Sequence, residues 1–156
     1  MSFAALIERM TQAACRGDGA GVGACFTESG VYHDVFYGPF EGPAAIAEMI
    51  DNHFHRDGEN FRWDLFDPVD DGIMGYARYL FSYDSKMAGS AGRRSLFEGV
   101  GIARLEGDLI AEYHEVTTAA TGLSMMGFAP EKIAKFAARQ ARGLTERAEA
   151  ADHAGA

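Results

Sequence analysis

Hydrophobic positions along the chain fall into two regimes. In the first sixty residues they recur at helical spacing. Phe3, Leu6, Ile7, Met10 and Ala14 form a stripe that predicts an amphipathic helix over 3–16, ended by Gly17-Asp18-Gly19. A short second helix over 20–26 turns Val22 and Phe26 inward. Residues 31–37, Val-Tyr-His-Asp-Val-Phe-Tyr, are β-branched and aromatic and read as a strand, with a turn at Gly38-Pro39. Pro43 opens a third helix at the position where its missing N–H costs nothing. The apolar stripe of that helix is Ile46, Met49, Ile50 and Phe54, with His53 on it and His55 off it. After Asp57-Gly58 the period changes to two. Strands are expected near 60–67, 73–83, 95–105 and 108–118, with hairpin turns at Asp70-Asp71-Gly72 and Glu106-Gly107. The connector 84–94 is glycine-rich, and 119–129 reads as a loop. Pro130 then starts a last helix with Ile133, Phe136, Ala137, Ala141 and Leu144 on one face. The tail from about 149 is expected to fray.

Helices followed by a run of antiparallel strands give an α+β class, with helices on one face of a curved sheet. If the helices leave the concave side partly open, a pocket remains. Neither a repeat nor a linker interrupts the 156 residues, so they read as a single domain: a core over 3–118, a helical extension over 119–149 and a tail over 150–156.

Charge narrows the partners. Fourteen basic against 23 acidic residues give a formal charge of −9, which disfavours nucleic acid and anionic membrane surfaces. No apolar run approaches the ~18 residues that cross a bilayer. The first ten residues carry charges where an export signal needs an apolar stretch, so a cytoplasmic location is expected. Cys15 and Cys25 form no metal-binding spacing and read as two buried thiols. The glycines at 17, 19, 21 and 23 follow a helix rather than a strand, which rejects a dinucleotide loop. His53 and His55 diverge on their helix, so no metal site is expected. No cofactor is implied.

The residues Gly17-Asp18, Phe26-Thr27-Glu28, Val31-Tyr32-His33-Asp34 and Phe40-Glu41-Gly42-Pro43-Ala44-Ala45-Ile46, with the closing hairpin Ala103–Ile110, resemble the nuclear transport factor 2-like superfamily in its SnoaL-like and ketosteroid isomerase-like branch. The resemblance implies a cone-shaped half-barrel packed by N-terminal helices, and covers about residues 3–118. It speaks to fold more than to chemistry, because this fold hosts isomerases, dehydratases, epoxide hydrolases, lyases, cyclases and non-enzymatic binders. Two departures stand out. The oxyanion donors of the steroid isomerase have Met10 and Gly101 at their positions. The Asp-Arg-Asp set of the epoxide hydrolases lacks carboxylates beside Arg78, which Tyr76 and Leu80 flank on its face.

By resemblance Asp34 stands at the general base, and His114 at an inward carboxylate used catalytically. Alternation groups Glu112, His114 and Val116 on one face of the last strand, with Tyr113 and Glu115 on the other. Tyr32 shares a face with Asp34, and His33 takes the opposite one. Tyr37 is expected at the rim, and Arg78 would polarise an oxygen if it points inward. Each has a plainer reading: Asp34 as a turn cap, His114 as a hydrogen-bonded histidine, the tyrosines as core, Arg78 as a surface ion pair. Met49, His53, Trp63, Tyr76, Phe97 and Glu112 are expected to contact substrate. Gly99 and Gly101 share a face with Phe97 and would enlarge the cavity or bend the sheet.

Together these features predict a cofactor-independent lyase or isomerase for a hydrophobic, aromatic small molecule. By resemblance alone, lignin-derived aromatic diols that release formaldehyde are one substrate class. The alternative is a non-catalytic binding or assembly domain. A homodimer or homotrimer is expected, joined through the outer face of the sheet, which would then cover exposed aromatics such as Tyr113. The Ile133–Phe136–Leu144 face is expected to close the pocket mouth or a subunit interface.

Overall fold

In the computed structural model, which describes residues 1–153, helix α1 spans Phe3–Arg16. The Ser2 hydroxyl caps it by accepting the Ala5 amide hydrogen bond at 3.3 Å. Gly17 ends it at φ 76°, a left-handed turn open to glycine at no steric cost. Leu6, Ile7 and Met10 are buried against the sheet. Each such burial contributes about 1.5–3 kcal/mol.

Helix α2 is Gly19–Gly23, strand β1 Phe26–Asp34 and strand β2 Gly38–Glu41. Helix α3, Pro43–Met49, continues through a π-helical turn, Ile50–Phe54, into α4, His55–Asp57. Four long strands follow: β3 (Gly58–Asp70), β4 (Met74–Ser85), β5 (Arg94–Glu106) and β6 (Leu109–Thr117). Helix α5 is Ala119–Met125 and α6 is Pro130–Thr145, followed by a short 3-10 turn, Ala148–Ala150. The last part of the expected frayed tail, 154–156, lies outside the described residues.

The six strands order as β2-β1-β6-β5-β4-β3. The meander β3 to β6 is antiparallel as expected, but β1 runs parallel to β6. Gly38-Pro39 is not a simple turn: it pairs with Asp34 and His33 as the first part of β2, and the reversal occurs just before it. The expected loop 119–129 contains α5, because Ala119, Leu123 and Met126 recur at helical spacing and are all buried. Among the described residues no helix is long and apolar enough to cross a membrane. Cys25 is buried and Cys15 half-buried, and both are free thiols.

Two apolar clusters build the core. One joins α1 and α3 to the inner face of the sheet through Ile7, Met10, Ile46, Met49, Tyr32 and Tyr113. The other joins the sheet to α5 and α6 through Tyr83, Phe97, Leu123, Met126, Ile133 and Phe136. Phe61 and Phe81 pack against both.

The choice of inner face decides the site. On β4 it carries Ala77, Tyr79, Phe81 and Tyr83, on β5 Phe97, Gly99, Gly101 and Ala103, and on β6 Tyr113, Glu115 and Thr117. Tyr113 is 1% exposed, so it is core and not an aromatic on the outer surface. Tyr76, at 43%, and Val116, at 63%, lie on the opposite face.

Candidate active site

Asp34 ends β1, where the chain reverses into β2. Its Oδ1 accepts hydrogen bonds from the Phe36 and Tyr37 amides at 2.8 and 2.9 Å. It therefore caps a turn and also lines a cavity, so both readings of this residue hold together. Burial pushes its pKa up against the pull of the two amides and of nearby His53.

Glu115 of β6 lines the same cavity. Burial, then the negative charge of Asp34, raises its pKa to about 8. The Tyr113 hydroxyl donates to its Oε1 at 2.9 Å, and Tyr79 faces the same carboxyl; both pull the other way. Asp34 and Glu115 keep some accessible surface because they face this cavity and also border an outer groove lined by His33, His114 and Leu144. At neutral pH Glu115 is thus mainly the neutral acid. Two carboxyls on one cavity, each with its pKa raised by burial, are arranged as an acid–base pair.

The tyrosines around Glu115 owe their placement to glycine. A Cβ on Gly101 would stand 2.6 Å from the Tyr113 hydroxyl, and one on Gly99 2.6 Å from that of Tyr79. Gly99 and Gly101 thus occupy the expected face, but the space they open holds tyrosine rings rather than a ligand. Tyr113 also packs on Tyr32, with ring centroids 5.0 Å apart.

The cavity itself is small, about 40 Å³, which is room for a few water-sized atoms. Its walls are largely aromatic, including Phe36, Phe54, Phe61, Trp63, Phe81, Tyr83 and Phe97. The indole N–H of Trp63 is buried without a hydrogen-bond partner among the described residues. A larger vestibule of about 490 Å³ shares Phe36, Tyr37, Asp57 and Tyr83 with the cavity and is flanked by α6. That volume lies in the range of small-molecule sites. Phe136 of α6 packs on Phe36 with centroids 5.2 Å apart, so the Ile133–Phe136 part of the helix borders the pocket mouth. Leu144, 52% exposed, lies away from this vestibule and borders a separate groove with His33, Asp34 and His114.

At the rim, the Tyr37 hydroxyl donates to Asp57 Oδ2 at 2.6 Å. Arg56 binds both oxygens of Asp57, and together with Tyr37 holds its pKa below the usual carboxylate range.

Of the expected site residues, Tyr32, Asp34, Tyr37, Trp63 and Phe97 line the cavity. Met49 is fully buried in the core. His53 stacks beside Tyr37 and Phe40, with centroids at 5.4 and 5.8 Å, outside the cavity wall. His114, Glu112, Arg78 and Tyr76 lie on the outer face. Glu112 joins His33 at 3.1 Å and Arg104 at 3.6 Å. His114 lies edge-on to His33 with ring centroids 6.4 Å apart. Partial burial and the charge of His33 lower its pKa. Arg78 pairs with Glu98 at 3.5 Å and covers the Phe66 ring at 4.3 Å. Asp34 and His114 do border one groove, of about 230 Å³ with His33, Glu115 and Leu144, but His114 is absent from the inner aromatic cavity, where the second carboxyl beside Asp34 is Glu115.

A bulge causes the exchange. Arg104 pairs with Glu112 but the next residue, Leu105, pairs with Ile110, which leaves Ala111 as an extra residue in β6. Had the Leu105–Ile110 register continued with Ala111 paired, Gly101 would face His114. With the bulge, Gly101 faces Glu115. The sequence signal is the adjacent pair Ile110-Ala111, both buried, which breaks the alternation. Glu115, Tyr113, Tyr79 and Asp57 are the polar site residues that sequence reasoning missed. Among the described residues no cluster of three or more His, Cys, Asp or Glu side chains gathers around a common metal position.

Several solved structures share this architecture. A hypothetical protein from Catenulispora acidiphila with a ketosteroid isomerase-like fold, solved with trimethylamine, superposes with a TM-score of 0.71 at 15% identity, covering 81% of this chain and 95% of that one. An LEH-like epoxide hydrolase of M. tuberculosis gives 0.63 at 15% identity, over 78% and 86% of the two chains. IdmH of Streptomyces antibioticus, described as a candidate polyketide cyclase, gives 0.65 at 15% identity, over 80% and 98%. At such identities the likeness concerns the fold. No curated protein matches the chain in sequence. The sequence profile of the SnoaL-like domain matches residues 7–113, more than half of the chain, and with the half-barrel and its carboxylate-lined cavity it places this protein in the SnoaL-like domain family.

Proposed function

We propose that this chain is a cofactor-independent acid–base enzyme, an isomerase or lyase, acting on a small hydrophobic, aromatic molecule. The observation that carries the reading is the pair of enclosed carboxyls on one cavity, with Glu115 pushed up to about 8 and Asp34 beside it. Asp34 takes a proton from a C–H or O–H of the substrate. Neutral Glu115 donates to the oxygen on which negative charge gathers, and Asp34 then returns its proton or passes it to the leaving group. Tyr113 orients the Glu115 carboxyl. The aromatic walls keep water away and strengthen both interactions. The small cavity admits the reacting group, and the ring system rests in the vestibule.

Turnover of a panel of aromatic diols, ketones and epoxides, without added cofactor, tests the reading. Among the diols, formaldehyde release marks the lyase outcome. Asp34→Asn is expected to lower the rate by ~10²–10⁴-fold. Full activity in that variant refutes Asp34 as the base. A second reading, a non-catalytic binding domain, draws support from the small inner volume of about 40 Å³. It predicts ligand binding in the vestibule and no turnover of any panel member.

A further inference from the structure

Helix α6 carries Lys132, Lys135, Arg139 and Arg142 along the vestibule. Their spacing of three, four and three residues is one helical stripe, about 15 Å long. None of the four forms an ion pair among the described residues. Two are held at the groove by aromatic faces: Arg139 lies 5.0 Å from the Phe136 ring centroid and Lys132 5.9 Å from that of Phe128. The carboxylate on the vestibule wall, Asp57, is already engaged by Arg56 and Tyr37. Four unpaired cations thus border an apolar groove on a chain whose formal charge is −9. A like-signed cluster at a low-dielectric wall focuses a field that attracts anions.

We propose that the vestibule binds the anionic group of an amphipathic organic acid, a carboxylate or phosphate attached to an apolar body, through this α6 stripe. The apolar body lies along Phe128 and Phe136 and leads toward the Asp34–Glu115 cavity. That this acid is the substrate rests on the acid–base reading; the anion site itself does not.

The test is fluorescence titration with anilinonaphthalene sulfonate, and with phenylnaphthylamine as the same ring system without the charge. The double variants Lys132→Gln/Lys135→Gln and Arg139→Gln/Arg142→Gln change exposed side chains, so the fold is expected to persist, as circular dichroism would check. The sulfonate probe should bind at least about tenfold more weakly to one or both variants, since each loses charge-assisted hydrogen bonds to the anion. The neutral probe should change less than twofold. Dodecanoate and dodecyl phosphate should displace the bound sulfonate better than dodecanol, and their ranking tells which anion the site prefers. Equal weakening of the two probes, an unchanged sulfonate affinity in both variants, or equal displacement by dodecanol overturns the proposal. Asp34→Asn should bind the sulfonate as the wild type does. A fully active Asp34→Asn with charge-dependent binding intact would refute the acid–base reading and leave the anion site standing.

Discussion

Glu115→Gln is the most informative single change, because it removes a titration and little else. The native carboxyl ionises near 8, while in an unfolded chain it would ionise near the ordinary value of 4.5. The native value is raised, so the folded state holds a proton that the unfolded state has already lost between those limits. The associated stability is fully present below about pH 4.5, declines through the interval, and is gone above about pH 8. At ~1.4 kcal/mol per pKa unit, the span amounts to at most about 5 kcal/mol, and water entering the cavity reduces it. The amide cannot ionise and keeps the acceptor for the Tyr113 hydroxyl. Urea unfolding of both proteins from about pH 5 to about pH 9 should give curves that diverge, with the wild type losing stability relative to the variant as pH rises. The causes of the shift can be separated in the same assay. Asp34→Asn removes a neighbouring charge and should move the midpoint of the wild-type decline down, whereas Tyr113→Phe removes a donor to the carboxylate and should move it up. Parallel stability curves for wild type and Glu115→Gln would refute the claim that Glu115 is held neutral by its surroundings.

If Asp34 is base and Glu115 acid, rate against pH should be bell-shaped, rising as Asp34 ionises above the ordinary aspartate range and falling near pH 8, with the alkaline limb absent in Glu115→Gln. His114→Asn should change turnover less than about twofold, since the ring lies on the outer face beside His33; a loss on the scale of general-base removal would restore it to the mechanism. Gly101→Ala should destabilise by about 1–3 kcal/mol in urea unfolding, because its methyl would meet the Tyr113 hydroxyl, and a neutral result would show that the tyrosine can move aside. The outer face exposes Tyr76, Leu96 and Val116, so a homodimer or homotrimer is expected by light scattering, and Val116→Glu should weaken it; a wild-type monomer at micromolar concentration contradicts this.

Local pattern alone determined most of the fold. The stripe of α1, the proline starts of α3 and α6, and the period of two in β3 to β6 each follow from side-chain spacing against one buried face, and each stands where the sequence places it. Asp34 and Tyr32 were legible as site residues for the same reason, since both sit on one face of the last part of β1, which alternates from Gly30 up to the turn. Alternation on β6 also separated His114 from Tyr113 and Glu115 correctly. What it lacks is an absolute sense of inside and outside, and only tertiary structure provided that. The extra residue Ala111 shifts the β5–β6 register by one, and a one-residue slip exchanges every side chain between core and solvent. The parallel pairing of β1 with β6 then sets Tyr32 beside Tyr113, and so brings Asp34 to the cavity that Glu115 lines. Both contacts join residues some eighty positions apart, at a distance where no spacing rule operates. The raised acidity constant of Glu115 belongs to the same level, because it arises from burial and from a neighbouring charge that exist only once the sheet has closed around them.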